Sequence, residues 1–215
     1  MRVMPQSTLS PAKSERARLA ILNAALEFLW HHPFRDLSVS TLMAETALSR
    51  SAFYQYFQDV HDLMRTLLAE VSDEVFGATG TWLRDTGDPV LLLNESLADV
   101  VEVCYRVGPI LRASDAAAAT GESFNEDWTK FKKKFDDAVT ARIKADQAQG
   151  LIPMFDARPV ANALNRLNAY TVIEAFGEKP RRKPAAVSGA MTRVWVSTLY
   201  GPQWLEKGTS TLLRK

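Results

Sequence analysis

The chain has 215 residues, enough for one large domain or two small ones, and its 47% hydrophobic residues suffice to bury a core. The formal net charge of +1 gives no electrostatic signature of a polyanion-binding protein, and the single cysteine, Cys104, excludes an intramolecular disulfide and a multi-cysteine zinc site. The first residues lack the apolar core of a signal peptide, and no run approaches the roughly 18 apolar residues of a membrane span. We therefore expect a cytoplasmic protein without a membrane partner.

The beginning of the chain predicts an unstructured arm followed by a helix. Residues 1–12 are rich in Pro, Ser and Thr, and we predict that they are disordered. From Lys13 to His31 apolar residues recur at steps of three and four, which predicts a helix that Pro33 ends.

Two short helices follow, joined by a tight connection. Ser38 stands in N-cap position before apolar residues, which predicts a helix over Ser38–Glu45. The segment Leu48–Phe57 predicts a second short helix with Phe53 and Phe57 on its inner face and polar or planar side chains on the other. This arrangement is a helix-turn-helix, and its second helix is the one that enters a DNA major groove.

The outer face of that second helix carries side chains suited to DNA. Arg50 can bond guanine and Gln55 can bond adenine in bidentate fashion, whereas Tyr54 and Tyr56 offer hydroxyls for phosphate oxygens. Main-chain N–H groups after Ser38 can add a phosphate contact. The alternative for Arg50 and Gln55 is an ordinary solvated helix residue. The predicted DNA-binding set from these helices is Ser38, Ser49, Arg50, Ser51, Tyr54, Gln55 and Tyr56.

The remaining pattern predicts more helices and no strand. An acidic N-cap, Asp59, begins a helix that we expect to end near Gly77 or Gly80, and Gly108-Pro109 is expected to interrupt the next one. We predict an all-α chain of about nine helices, with a helix-turn-helix domain over 13–80 and a second domain over 81–215. The predicted helices of the second domain are 91–107, a short one through 116–119, an aromatic one containing 124–139 and closed by Gly150, 160–176 and 185–200.

The second domain contains aromatic side chains at helical spacing. Trp128, Phe131 and Phe135 are either plain core or the lining of a cavity, and Asn165 and Asn168 lie near an apolar stripe. A buried amide needs a hydrogen-bond partner, which either a ligand or another helix can supply. Lys132–Lys134 are expected on a solvated face, where Asp136 and Asp137 would balance their charge. Further candidates for a cavity lining are Tyr105, Phe124, Phe155, Tyr170 and Trp195.

The order of these parts resembles the tetracycline-repressor (TetR) family of bacterial transcription regulators. The resemblance covers about residues 17–70 and is carried by Ser49-Arg-Ser-Ala-Phe-Tyr-Gln-Tyr-Phe57 and the acidic helix start that follows. It implies DNA binding. Three positions depart from the family pattern: Ala47 stands where Gly is usual, Met43 where a small residue is usual, and Val60 where a phosphate-binding Lys is usual. Either His61 or the side chains of Tyr54 and Tyr56 are therefore expected to carry more of the backbone contact.

The second domain resembles one mycobacterial subgroup of this family, which represses an ethionamide-activating monooxygenase. The likeness is carried by 163–168, 194–201 and Trp128-x-x-Phe131. It implies an elongated pocket for a small apolar effector, lined by Tyr105, Phe124, Trp128, Phe131, Phe135, Asn165, Asn168 and Trp195.

The resulting expectation is a ligand-responsive repressor that binds an inverted-repeat operator in double-stranded DNA as a homodimer. The alternative is a DNA-binding regulator or activator without a small-molecule effector. Two copies would pack through the last two helices and hold their reading helices about 34–36 Å apart. An enzyme is disfavoured, because all three His precede position 62 and no phosphate-cradling Gly-rich loop exists, and we expect no cofactor or metal. The expected dimer contacts are Leu164, Leu167, Val172, Val187, Met191, Val194 and Thr198.

Overall fold

The computed structural model describes residues 11–201, apart from the side chains of residues 11–13, 122 and 123. Within that range the chain forms nine α-helices and no strand, which confirms the predicted all-α fold. The predicted disordered arm falls largely outside the described residues, but α1 already begins at Pro11. The helices are α1 Pro11–His31, α2 Val39–Ala44, α3 Arg50–Phe53, α4 Val60–Ala78, α5 Gly80–Arg84, α6 Pro89–Thr120, α7 Glu122–Ala148, α8 Ala157–Phe176 and α9 Pro184–Leu199.

Side-chain caps set the starts of the short helices near the N-terminus. The Ser38 hydroxyl accepts from the Thr41 N–H at 3.1 Å, and the Thr41 hydroxyl accepts from the Ser38 N–H at 2.9 Å, a reciprocal capping box at the start of α2. Ser49 caps α3 through the Ala52 N–H at 3.2 Å. Asp59 caps α4 in the same way, as predicted. These caps supply partners for N–H groups that a helix start otherwise leaves unbonded.

The long helix α6 runs without interruption through Gly108 and Pro109, so the predicted break there is wrong. Proline lacks an N–H and leaves the carbonyl oxygen of Tyr105 without its helical partner. Arg181, in the loop between α8 and α9, donates to that oxygen at 2.7 Å. Gly108 serves close packing instead, because a Cβ there would lie 2.3 Å from the carbonyl oxygen of Phe176 on α8.

The N-terminal helices are anchored to the rest of the chain through the last turn of α1. Arg112 on α6 donates to the carbonyl oxygens of Leu29 at 2.8 Å and His32 at 3.3 Å, which lack helical partners at a helix end. The Arg181 guanidinium lies over the Trp30 ring at 5.0 Å. These contacts fix α1 against α6 and the α8–α9 loop.

The helix α4 connects the two parts of the molecule. It begins three residues after Phe57 and buries the predicted apolar stripe Leu63, Leu67, Val71 and Val75. A separate short helix, α5, follows it, which the sequence pattern does not predict. Among the described helices, none is long and apolar enough to cross a membrane.

Candidate DNA-binding surface and ligand cavity

The helices α2 and α3 form the predicted helix-turn-helix. Leu42 and Met43 of α2 and Phe53 of α3 are buried against α1, and the Arg50 side chain donates to the Ser40 hydroxyl across the two helices. The regular part of α3 is shorter than predicted and ends at Phe53. The chain then continues in turns, with the Phe57 N–H donating to the Phe53 carbonyl at 3.0 Å, and this keeps Phe57 buried.

Four of the predicted DNA-binding side chains share the exposed outer surface of this motif, which we call the reading surface. They are Arg50, Ser51, Tyr54 and Gln55, and Tyr54 is 61% exposed. Ser40, which was not singled out from the sequence, is exposed beside Arg50 and accepts a hydrogen bond from its guanidinium. Its signal was a polar residue on the outward side of a helix whose other side is apolar.

The other predicted DNA-binding residues are placed differently. The hydroxyls of Ser38 and Ser49 act as helix caps, although both residues are exposed. Tyr56 is half-buried and packs against the core. The half-buried His61 ring meets the Phe34 ring edge-on, with centroids 5.6 Å apart, and its Cε1 approaches Gly121 of the second domain.

The positions that depart from the family pattern are accommodated without strain. Ala47 does not adopt a left-handed backbone, since no described residue other than glycine has a positive φ. The larger Met43 side chain is buried between the helices with 4% exposure. Val60 is the first residue of α4, and its side chain packs against the core.

An apolar, partly open cavity of about 100 Å³ lies between α4, α5, α6, α7, α8 and α9. Six of the eight residues predicted from the sequence line it: Trp128, Phe131, Phe135, Asn165, Asn168 and Trp195. The other two do not: Phe124 is buried elsewhere in the core, and Tyr105 stacks edge-on against Phe176. Further lining residues, which the sequence pattern does not predict, include Val75, Thr79, Trp82, Leu97, Val100, Cys104, Lys132, Ala138 and Val172.

Both asparagine amides in the cavity wall have a partner within the protein. The Asn168 carbonyl oxygen accepts from the Trp195 indole N–H at 2.9 Å. The Asn165 amide donates to the Asp136 carboxylate at 2.9 Å, and Arg166 donates to the same carboxylate at 2.6 Å. These bonds hold α7, α8 and α9 together around the cavity.

The expectation of a solvated charge cluster on α7 is wrong for two of its residues. Asp136 is only 3% exposed and pairs with Arg166, rather than with the neighbouring lysines. Lys132 is half-buried and lines the cavity. Lys133 does lie on the surface as expected, with Asp137 at 2.6 Å.

A buried polar network fixes one end of the cavity. The Trp82 indole N–H donates to the Tyr200 hydroxyl at 3.0 Å, and that hydroxyl donates to the Asp146 carboxylate at 2.6 Å. Arg142 pairs with Asp146 at 2.8 Å. Burial, together with the bond to Asp146, raises the pKa of Tyr200 well above its usual range, so the phenol keeps the proton that it donates. Trp82 is thereby held as a rigid part of the wall.

Cys104 faces the cavity as a neutral thiol. Burial, and secondly the charge of Glu74, raises its pKa to about 12. Because only the thiolate is a strong nucleophile, Cys104 acts here as a small apolar wall residue.

The helix that leads out of the reading surface also forms part of the cavity wall. Val75 and Thr79, at the far end of α4, line the cavity. Two ion pairs tie α4 to α7, Arg65 to Asp127 at 3.0 Å and Lys134 to Asp73 at 3.2 Å. The helix α4 therefore contributes both to the cavity wall and to the contact with α7.

The helices α8 and α9 expose only part of the face expected to form a dimer, because Val194 and Thr198 are exposed and Leu167 is half-buried. Leu164, Val172, Val187 and Met191 are buried in the core of their own chain, so a second copy cannot contact them. The exposed side carries two larger apolar residues, Tyr170 at 69% and Val194 at 38% exposure. The same two helices also expose small residues: Ala163, Ala186, Gly189 and Ala190.

Comparisons with known proteins match both parts of the chain. The family of bacterial regulatory proteins called tetR matches residues 21–67, and the family "Transcriptional regulator EthR, C-terminal domain" matches residues 93–201. The HTH-type transcriptional regulator EthR of Mycobacterium tuberculosis (strain ATCC 25618 / H37Rv) is 30% identical over 198 residues, covering 90% of this chain and 91% of the relative. Its counterpart in Mycolicibacterium smegmatis is 25% identical over 185 residues, covering 85% of each chain.

Solved structures show the same fold at lower sequence identity. The regulator PfmR from Thermus thermophilus superposes with a TM-score of 0.68 at 15% identity, covering 81% of this chain and 96% of PfmR. AibR, solved in complex with isovaleryl coenzyme A and operator DNA, gives 0.66 at 19% identity, covering 86% and 99%. The helix-turn-helix and the all-helical architecture of the described residues agree with these relatives. The chain therefore belongs to the TetR family of bacterial transcriptional regulators.

Proposed function

We propose that this regulator is a ligand-responsive repressor, which binds an inverted-repeat operator as a homodimer and is released by a small apolar effector. One observation carries the proposal. The helix α4 begins directly behind the reading surface, and its other end, at Val75 and Thr79, forms part of the wall of an apolar cavity. Occupation of the cavity and the position of the reading surface are thus linked by one rigid element.

The reading surface has the side chains that sequence-specific DNA contact requires. Arg50 and Gln55 are exposed and present groups that bond base edges, and Tyr54 presents a hydroxyl suited to a phosphate. Ser40 holds the Arg50 guanidinium in place through a hydrogen bond. The half-buried His61 can contribute to DNA contact only through the part of its ring that stays exposed.

The cavity is small for an apolar effector. An engineered cavity of about 150 Å³ accepts benzene, whereas this one measures about 100 Å³. An effector larger than benzene must therefore push the wall outward or extend through the open side of the cavity. The half-buried Phe131 and Phe135 on α7, and Val75 on α4, are the wall residues in its path.

A small tilt of α4 suffices to move the reading surface. The helix has 19 residues, which at about 1.5 Å per residue gives a length of about 28 Å. A rotation of about 5° about the Ala78 end therefore displaces the Val60 end by about 2.5 Å. In a dimer both reading surfaces move, and a spacing matched to about one turn of DNA, roughly 34–36 Å, is lost.

The relatives support each part of the proposal without determining the partners of this chain. The EthR proteins are HTH-type transcriptional regulators, and the AibR structure contains both a small molecule and operator DNA. For the dimer, the exposed face of α8 and α9 offers Tyr170 and Val194 among small residues that allow two backbones to approach. Two copies of that face would form an isologous four-helix interface.

Selection of bound fragments from the genomic DNA of the source organism tests the DNA-binding part. We expect enrichment of an inverted repeat that binds one dimer, or a whole number of dimers. If about six to ten phosphates are contacted, the affinity should fall roughly 10³- to 10⁵-fold between 50 and 200 mM salt. Tyr170→Asp should weaken both the dimer and operator binding.

Two outcomes would contradict the proposal. A protein that binds no genomic fragment better than random DNA is not a specific regulator of this kind. A protein that binds its operator equally well with the cavity occupied or empty would instead be a DNA-binding regulator without an effector.

A further inference from the structure

The polar groups that line the cavity are, with one exception, held by partners within the protein. At least one such bond is made by each of five lining residues: Thr79, Ser96, Asn165, Arg166 and Asn168. Thr79 donates to the Phe76 carbonyl oxygen at 2.7 Å, and the Ser96 hydroxyl accepts from the main-chain N–H of Trp82 at 2.8 Å. Asn165 and Arg166 donate to Asp136 at 2.9 and 2.6 Å, and Asn168 accepts from the Trp195 indole N–H at 2.9 Å.

The exception is Lys132. Its side chain is half-buried at the cavity, with Nζ 5.6 Å from the centre of the Trp128 ring, and no carboxylate of the described residues lies within 4 Å of it. The other three lysines of this part of α7 each have an acidic partner. Lys130 pairs with Asp127 at 3.4 Å, Lys133 with Asp137 at 2.6 Å and Lys134 with Asp73 at 3.2 Å.

Lys132 is a half-buried residue whose ammonium has no carboxylate partner among the described residues, so it is available to an anion from outside the protein. A carboxylate that enters the cavity is stabilised if it pairs with a charged group there, and Lys132 can supply that group. The remaining wall is made of aliphatic and aromatic side chains, which favour a hydrocarbon chain. The Trp128 ring below the ammonium is fixed by its indole N–H, which donates to Asp115 at 3.2 Å.

We propose that the effector is an amphipathic carboxylate, whose hydrocarbon chain occupies the cavity and whose carboxylate pairs with Lys132. This inference rests on the proposed ligand response and names the chemical class of the ligand. A neutral ester or amide held only by the amides of Asn165 and Asn168 is the competing class. The two classes differ in their dependence on the charge at position 132.

Intrinsic tryptophan fluorescence measures binding directly, because Trp82, Trp128 and Trp195 line the cavity. The full chain is titrated with octanoic, dodecanoic and hexadecanoic acids, each against its methyl ester and below its micelle concentration. We expect the acid of the best-fitting length to bind about tenfold or more tightly than its ester. Lys132→Met should remove this preference, and Lys132→Arg should retain it.

Lys133→Met is the matched control, since it removes a neighbouring charge that faces solvent and is paired with Asp137. It should leave the preference for the acid unchanged. Circular dichroism verifies that every variant is folded, and Lys132→Gln replaces Lys132→Met if that variant is not.

The results separate the two levels of the proposal. Equal binding of acid and ester by the wild type, or an acid preference that survives the loss of Lys132, overturns the anionic ligand while leaving an apolar effector site intact. Failure of both acid and ester to bind at any length overturns the anionic ligand and the apolar effector together. Operator selection remains an independent test of DNA binding.

Discussion

Replacing Ala138 by leucine fills the cavity from within and should imitate part of the effect of a ligand. Ala138 lines the cavity from α7. Empty space in a core destabilises a protein by about 24 cal/mol per Å³, so a cavity of about 100 Å³ corresponds to at most about 2.4 kcal/mol. Leucine fills part of that volume, and we expect Ala138→Leu to raise the free energy of unfolding by about 1–2 kcal/mol.

Chemical and thermal denaturation measure this gain. For a chain of this size, about 1–2 kcal/mol corresponds to a rise in Tm of roughly 2–8 °C. The matched control is Ala141→Leu, on the same helix but exposed, which should change stability by less than about 0.5 kcal/mol. Ala138→Leu should also abolish the rise in Tm that a cavity ligand produces. The reasoning is refuted if Ala138→Leu is less stable than Ala141→Leu and still responds to the ligand, because the cavity would then not be the space that the ligand occupies.

Three further predictions concern single residues. Gly108→Ala should destabilise the protein by about 1–3 kcal/mol in denaturation experiments, because the new Cβ would lie 2.3 Å from the Phe176 carbonyl oxygen. An unchanged stability would contradict the close crossing of α6 and α8. Cys104, with its pKa raised to about 12, should react with a thiol reagent at pH 8 only as fast as local unfolding exposes it. A rapid reaction in the native state would show that the thiol is accessible. Arg50→Ala should relax the base preference at one position of each half-site and reduce the binding free energy by about 1–3 kcal/mol. Tyr54→Phe should weaken binding to all DNA sequences alike. The reverse pattern in binding assays would show that these two contacts are misassigned.

Local signals in the sequence were sufficient to predict the starts of α2, α3 and α4. The serine and aspartate caps of α2, α3 and α4 act through hydrogen bonds to residues three positions away, so the sequence contains both partners close together. The inner face of the helix-turn-helix was predictable for the same reason, because Phe53 and Phe57 lie one helical turn apart. The overall helical class follows from the spacing of apolar residues.

Features that depend on distant partners were not predictable in this way. Pro109 looked like a helix break, and only the guanidinium of Arg181, 76 residues away from Tyr105, shows why α6 continues. Lys132 was expected in a solvated charge cluster, because it is one of three consecutive lysines. The sequence does not show which of these lysines faces the cavity. The same limit applies to Tyr105 and Phe124, which have the composition of a cavity lining but pack elsewhere.

The coupling between the cavity and the reading surface is tested most directly by measuring operator affinity at saturating ligand. Fluorescence anisotropy of the selected operator gives its Kd, first for the free protein and then with the fatty acid that tryptophan fluorescence shows to bind most tightly. We predict that ligand saturation weakens operator binding about tenfold or more, and that saturating operator weakens ligand binding by the same factor. An operator Kd that stays constant while tryptophan fluorescence reports a filled cavity would contradict the account.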